Sequence, residues 1–267
     1  MQNIGLMMTH NEEDIIETVM TQNKKYFDHI LVLDGSTDKT PDIIQSFDNV
    51  SYFIKDQDLY PQRKVKDGIR QFLLEKAQEM FPQEGWFTLL HGDEIMIDDP
   101  NLIAQKAEDA NAEKVNWHSL DFFLHESQKD DPDLMKKEVQ ERCIYYMPGT
   151  LEIRQFKNKP GIFYNINQHN NVLPQGIGYK PLLDFPILKH YVVRSPDQIL
   201  KSRTTKDRMV AGHSAMSISD TIFSDKVFDH LTQVRKYEGD FGEFEPSKRP
   251  HFFFQWVKFG QFSKRRR

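Results

Sequence analysis

The sequence predicts an α/β protein with a mostly parallel sheet flanked by helices. Short apolar runs of strand length alternate with helical stripes through the first hundred residues. Polar clusters rich in Asp, Gly, Ser and Glu follow those runs, where the carboxyl ends of parallel strands would lie.

The elements follow in order. Ile4 to Met8 is an apolar run and reads as the first strand. Asn11 followed by Asp14 suggests a capping box, and Ile15, Ile16, Val19 and Met20 supply the helical stripe behind it. Ile30 to Leu33 is a second strand, closed by Asp34-Gly35-Ser36-Thr37-Asp38. Thr40 and Pro41 then suit the N-cap and first position of a second helix. Val50 to Ile54 is a third strand. Val65, Ile69, Phe72, Leu73, Ala77 and Met80 mark one face of a long helix. Trp86 to Leu90 is a fourth strand, running into His91-Gly92-Asp93-Glu94 ahead of a helix start at Asp99. Past Pro100 the pattern loosens. Val115 to Leu124 is strand-like, Leu151 to Phe156 alternates, and Pro, Gly and Asn crowd Pro160 to Pro186. Asp197 to Met209 and Asp220 to Tyr237 read as helices. The expected division is 1–110 as a ligand-binding α/β half, 111–212 as a mixed half, and 213–267 as a helical appendage with a basic, aromatic tail.

Composition excludes several classes. With 38% hydrophobic and 28% charged residues, the 267-residue chain carries an ordinary globular balance. Its one cysteine, Cys143, rules out an internal disulfide and reads as a small buried hydrophobe. No apolar run approaches the roughly 20 residues of a spanning helix, and Met1 to Met8 reads as a strand rather than a leader, so a cytoplasmic location is expected. The net charge of −5 is uneven: no acidic residue follows Glu245, where seven Lys and Arg gather, leaving −12 on the rest. That balance argues against a nucleic-acid surface and marks a local basic tail. Within it Phe252, Trp256 and Phe259 repeat at helical spacing ahead of Lys264 to Arg267. Such a segment suits peripheral contact with an anionic membrane, or else packs its rings on the domain.

Neither a Gly-x-Gly-x-x-Gly nor a Gly-Lys-Ser/Thr phosphate loop occurs. A bound diphosphate would need a metal and basic side chains. The Asp34 to Asp38 loop is either a turn leading into a helix or a base-binding element in which Asp34 accepts a hydrogen bond. His91-x-Asp93-Glu94 is either a surface turn or a ligand pair for Mn²⁺ or Mg²⁺, the imidazole favouring Mn²⁺.

Taken together, Thr9-His10-Asn11-Glu12-Glu13, Leu33 to Asp38 and Trp86 to Glu94 resemble the family 2 glycosyltransferases of the glycosyltransferase A-type fold. The resemblance implies that Thr9, Asn11, Glu12, Asp34 and Asp38 hold the nucleotide of a nucleotide-sugar donor. It implies a metal at Asp93, which matches the second Asp of the family's Asp-x-Asp element, with His91 standing where the first would be. Arg63 and Lys64 look like the Arg-Asn pair beside the donor, with Lys64 in place of Asn. More faintly, Ile153 to Asn158, Gly161 to Phe163 and Gln168-His169-Asn170 resemble a bacterial subgroup that includes sugar transferases of lipopolysaccharide cores. His190, with Tyr191, Lys201 and Arg203, resembles that subgroup's closing segment and would touch metal or phosphate. Asn170 stands where that pattern has its Glu base, and an amide takes no proton at neutral pH. Asp184, Asp121 and Glu152 are the substitute candidates, Asp184 first because it lies between the Asn-rich loop and His190. The reaction implied is inverting transfer of a sugar to a hydroxyl of a glycan or lipid-linked acceptor. A non-catalytic nucleotide-sugar or glycan-binding protein and a nucleotidyltransferase are the alternatives.

Overall fold

The computed structural model describes residues 2–56, 65–83, 85–165, 174–198, 234–239 and 241. Ten strands of these residues form one mixed sheet. Strands β1 (Asn3–Thr9), β2 (His29–Asp34), β3 (Val50–Lys55) and β4 (Gly85–His91) run parallel in the order β3-β2-β1-β4. The sheet continues from β4 through β7 (Tyr145–Asn158), β6 (Lys114–Phe123) and β9 (Ile187–Val193) to β5 (Glu94–Met96). β7 is antiparallel to both β4 and β6, so β6 and β9 point the same way as β1, β2 and β4. Short strands β8 (Pro181–Leu182) and β10 (Arg235–Lys236) pair with β6 and β7. The sheet therefore crosses the expected boundary at residue 110 without a break.

The expected α/β class is the observed one. Buried on both faces, β1 carries an unbroken apolar run from Ile4 to Met8, as a central parallel strand requires. Its side chains alternate between two cores. Met7 joins Ile16, Val19, Met20, Ile44, Ile103 and Ala107 under α1 (Ile16–Asn23), α2 (Thr40–Gln45) and α4 (Pro100–Asp109). Ile4, Leu6 and Met8 join Ile69, Leu73, Leu74 and Ala77 under α3 (Val65–Met80). Each such buried aliphatic side chain contributes about 1.5–3 kcal/mol. Trp86 and Trp117 are fully buried, and Cys143 lies in the first core with its thiol pushed up to about 12 by burial, as the inert reading expects. A short helix, α5 (Val139–Arg142), precedes β7.

Three local expectations are corrected. Asn11 and Asp14 form no capping box: α1 starts at Ile16, its N-cap Ile15 has no side-chain bond, and Asn11 sits at φ 57 in the loop. Thr40 is the first residue of α2 rather than its cap, because its hydroxyl is turned back to accept from the Glu12 N–H. Residues 235–236 are strand, not helix. They pair with Tyr145 and Tyr146, and Tyr237 packs on Phe122, Tyr146 and Phe241, with Lys189 Nζ 3.9 Å from its ring centre. The helix start at Asp99 stands, since Asp99 accepts from the Asn101 N–H at 2.8 Å. The helix expected at 197–209 lies outside the described residues beyond 198, as do 213–233 and the tail at 252–267.

Candidate active site

Three loops meet at the carboxyl edge of β1, β2 and β4: residues 9–13, 34–40 and 91–94. Parallel pairing puts Thr9 beside Asp34 and Met8 beside His91, so the sheet register alone brings the loops together. The first two are laced to each other. Asp34 is fully buried; its carboxylate accepts from Thr9 Oγ1 at 2.6 Å, Ser36 Oγ at 2.6 Å and Ser36 N at 3.1 Å. Asn11 Oδ1 accepts from Thr37 N, while its own N–H donates to Ser36 Oγ. Asp38 accepts from the N–H groups of Glu13 and Thr40. Asp34, Asn11 and Asp38 thus brace the two loops through their side chains. The 91–94 turn reaches this pair of loops because Gly92 carries no side chain: a Cβ there would lie 2.9 Å from Glu12 Cγ and 3.0 Å from Thr9 Cγ2.

The chemistry-bearing groups lie just beyond the edge, in two ionic clusters. In the first, the fully buried guanidinium of Arg194 sits at the end of β9. It pairs with Glu12, with Asp14 at 3.0 Å and with Asp93 Oδ2 at 3.5 Å. His190 Nε2 lies 3.5 Å from the same Asp93 oxygen, and its Nδ1 lies 3.0 Å from Asp121 Oδ1. Although burial opposes it, His190 and Arg194 hold the Asp93 carboxyl well below the usual carboxylate range, and Asp93 and Asp121 raise His190. Burial pushes Glu12 up to about 8 against the opposing pull of Arg194, since three carboxylates share that one guanidinium. In the second cluster the fully buried Glu94 binds Arg154 at 2.6 Å and His91 at 3.2 Å. Despite burial, the Arg154 guanidinium and, behind it, His91 bring the Glu94 carboxyl down to about 2. Burial in turn lowers His91, against the opposing pull of Glu94.

Several expected residues therefore take other places. His91 is turned to Glu94 and Arg154, whose Nη1 lies 3.0 and 3.3 Å from its two ring nitrogens. Among the described residues, no three of His, Cys, Asp and Glu are grouped as a metal cage. Asp184 is not brought to the cluster: it pairs with Lys106 at 2.7 Å and precedes β9, where Ile187 to His190 alone spans roughly 10 Å at strand rise. Glu152 stands 3.2 Å from Arg154 with its carboxylate about a third exposed. Arg63, Lys64, Asn170, Lys201 and Arg203 lie outside the described residues. The sequence reading missed Arg194, Asp14 and the pairing of Glu94 with Arg154. The run Ile187 to Val193, rich in β-branched and aromatic residues, signals a strand and would have placed Arg194 at its carboxyl end.

An open α/β protein with its polar loops at the carboxyl edge of parallel strands is, by its architecture, a ligand-binding fold of the doubly wound kind. Residues 6–134, just under half of the chain, match the model of the family described as glycosyl transferase family 2, and the match contains all three edge loops. No match to a curated protein was found. Among solved structures the chain is similar to a 4-diphosphocytidyl-2C-methyl-D-erythritol synthase, at 13% identity over 77% of this chain and 98% of that one, with a TM-score of 0.38. It is similar to HddC from Yersinia pseudotuberculosis at 9% identity over 72% and 90%, with a TM-score of 0.33. A Bacillus anthracis protein provisionally described as a glucose-1-phosphate thymidylyltransferase aligns at 10% identity over 45% of this chain and 55% of its own, about half its length, with a TM-score of 0.31.

Proposed function

We propose that the protein is a glycosyltransferase that moves a sugar from a nucleotide-diphosphate sugar to a hydroxyl of a glycan or lipid-linked acceptor. The observation that carries this reading is the meeting of loops 9–13, 34–40 and 91–94 at one sheet edge, all inside the segment matching family 2. Asp93 and His190 are the proposed ligands of Mn²⁺ or Mg²⁺. The donor types suit such an ion, a carboxylate oxygen and an imidazole nitrogen 3.5 Å apart, and binding would displace the ring proton that Asp93 and Asp121 favour on His190. When bound, the ion would neutralise charge on a departing nucleoside diphosphate. His91 drops out of the ligand set because Arg154 faces both of its nitrogens. Arg194 places a permanent positive charge beside Asp93, and the laced loops that carry Thr9, Asn11, Glu12, Asp34 and Asp38 are the proposed seat of the nucleotide. Glu152 is the carboxylate to test first as acceptor-side base, because it is partly exposed on the same side of β7 as Arg154. The tail at 252–267 would bring the enzyme to the inner membrane face, where a lipid-linked or lipopolysaccharide-core acceptor is found.

Incubation of the full chain with Mn²⁺ and a panel of nucleotide-sugars tests the proposal. Release of nucleoside diphosphate, through transfer or slow donor hydrolysis, is the expected result. Pyrophosphate release would instead indicate nucleotidyl transfer, and binding with no product would make the chain a donor-binding protein.

A further inference from the structure

We propose that Asp121 is a positioning residue, which clamps the His190 ring so that its Nε2 faces Asp93. β6 and β9 are parallel neighbours, and Asp121 and His190 are direct partners across them. The ring is strung between two carboxylates, with Nδ1 3.0 Å from Asp121 Oδ1 and Nε2 3.5 Å from Asp93 Oδ2. A hydrogen bond at one imidazole nitrogen fixes both the orientation and the tautomer presented by the other.

Asp121 is itself held from behind. Ser119 Oγ lies 3.1 Å from Asp121 Oδ1 and accepts from the Thr150 N–H at 2.8 Å. This contact exists because the register between β6 and β7 shifts between His118 and Leu120, setting Ser119 against Gly149 and Thr150. The approach is so close that a Cβ on Gly149 would lie 2.3 Å from both Asp121 Oδ1 and Ser119 Oγ. Position 149 thus has room for no side chain. Pro148 beside it donates no ladder bond, which is tolerated at such an irregularity. The irregular stretch of β7 builds a seat for one carboxylate oxygen, and that oxygen holds one ring nitrogen. An Asp121 occupied in this way aims an imidazole instead of serving as the acceptor-side base. The purpose of the aim rests on the proposed cation site; the aim itself does not.

Nitrogen-15 NMR of the full chain labelled at histidine, with His190 assigned through His190→Gln, reads the clamp directly and without any metal. The expected spectrum has a downfield, slowly exchanging Nδ1 proton on His190, lost in Asp121→Ala and shifted in Gly149→Ala. Absence of that proton in the parent, or its persistence in Asp121→Ala, overturns the proposal. Should Asp121→Ala fail to fold, Asp121→Leu, of similar size and without an acceptor, carries the same readout. In parallel, Mn²⁺ affinity by electron paramagnetic resonance should fall about 10–100-fold in Asp121→Ala, the usual loss for an outer partner of a ligating histidine. Unchanged Mn²⁺ affinity alongside a lost NMR signature would overturn the purpose assigned to the clamp. A parent that shows the signature and binds no Mn²⁺ overturns the cation site and leaves the positioning of His190 standing.

Discussion

At the scale of single residues, Asp93 and Glu12 pull in opposite directions and give opposite pH signatures. Asp93→Asn is expected to abolish Mn²⁺-dependent turnover and diphosphate binding while the far-UV spectrum stays native; full activity in that variant would remove the metal from the account. Glu12 works the other way. Its carboxyl sits at about 8 against an ordinary 4.5, so the folded protein holds a proton there that the unfolded chain has already lost. Stability associated with Glu12 is therefore present below about pH 4.5 and is lost as pH rises toward about 8. The thermal midpoint of Glu12→Gln should gain on that of the parent between pH 5 and pH 8, and parallel midpoints over that range would refute the assignment. Asp34, fully buried and bonded three times within its loop, is expected to act on stability first. Asp34→Ala should cost about 1–3 kcal/mol through the donors it leaves unpaired, measured by urea unfolding.

At the scale of elements, the second ionic cluster couples β7 to the turn that opens β5. Arg154→Ala leaves Glu94 buried without a cation and should cost about 3–5 kcal/mol, whereas Arg154→Met with Glu94→Gln should recover most of it. A double-mutant cycle by chemical denaturation measures the difference. Glu94 also sets the acid limit. Its carboxyl is held at about 2 against 4.5, a contribution on the order of 3 kcal/mol present above the unfolded value and lost as pH falls through about 2. The strands and helices of the first hundred residues were legible because apolar periodicity and turn chemistry agree there, and the three edge loops followed from them. The ionic partners were not. Arg154 and Arg194 act across strands whose order, β4-β7-β6-β9-β5, no local pattern announces. His91 and Asp93 are two residues apart in sequence yet are held by different clusters, which is a matter of side-chain direction after the strand ends. Asp184 misled for the same reason: nearness along the chain to His190 stood in for nearness in space. The seat for Asp121 was equally hidden, because it depends on a register shift between two strands.

At the scale of the whole molecule, no helix of the described residues is long and apolar enough to cross a bilayer, and the contact proposed for 252–267, rings beside basic residues, is a peripheral one. Anionic liposomes should float the full chain at low salt and fail to float a chain ending at Ser263; equal behaviour of the two would strip the basic tail of that role. The sheet has a further consequence for how the chain is made. Asp14 leaves the ribosome 180 residues ahead of Arg194, the guanidinium that pairs with it and with Glu12. β1 likewise waits for β4, and β5 waits for β9. Until Arg194 emerges, the growing polypeptide carries the Glu12, Asp14 and Asp93 carboxylates without the guanidinium they share, and burying them is unfavourable. The ligand edge is thus the last part of the domain to close, and a ribosome-bound chain stalled before residue 194 should remain sensitive to protease at the 9–13 loop where the finished protein is resistant.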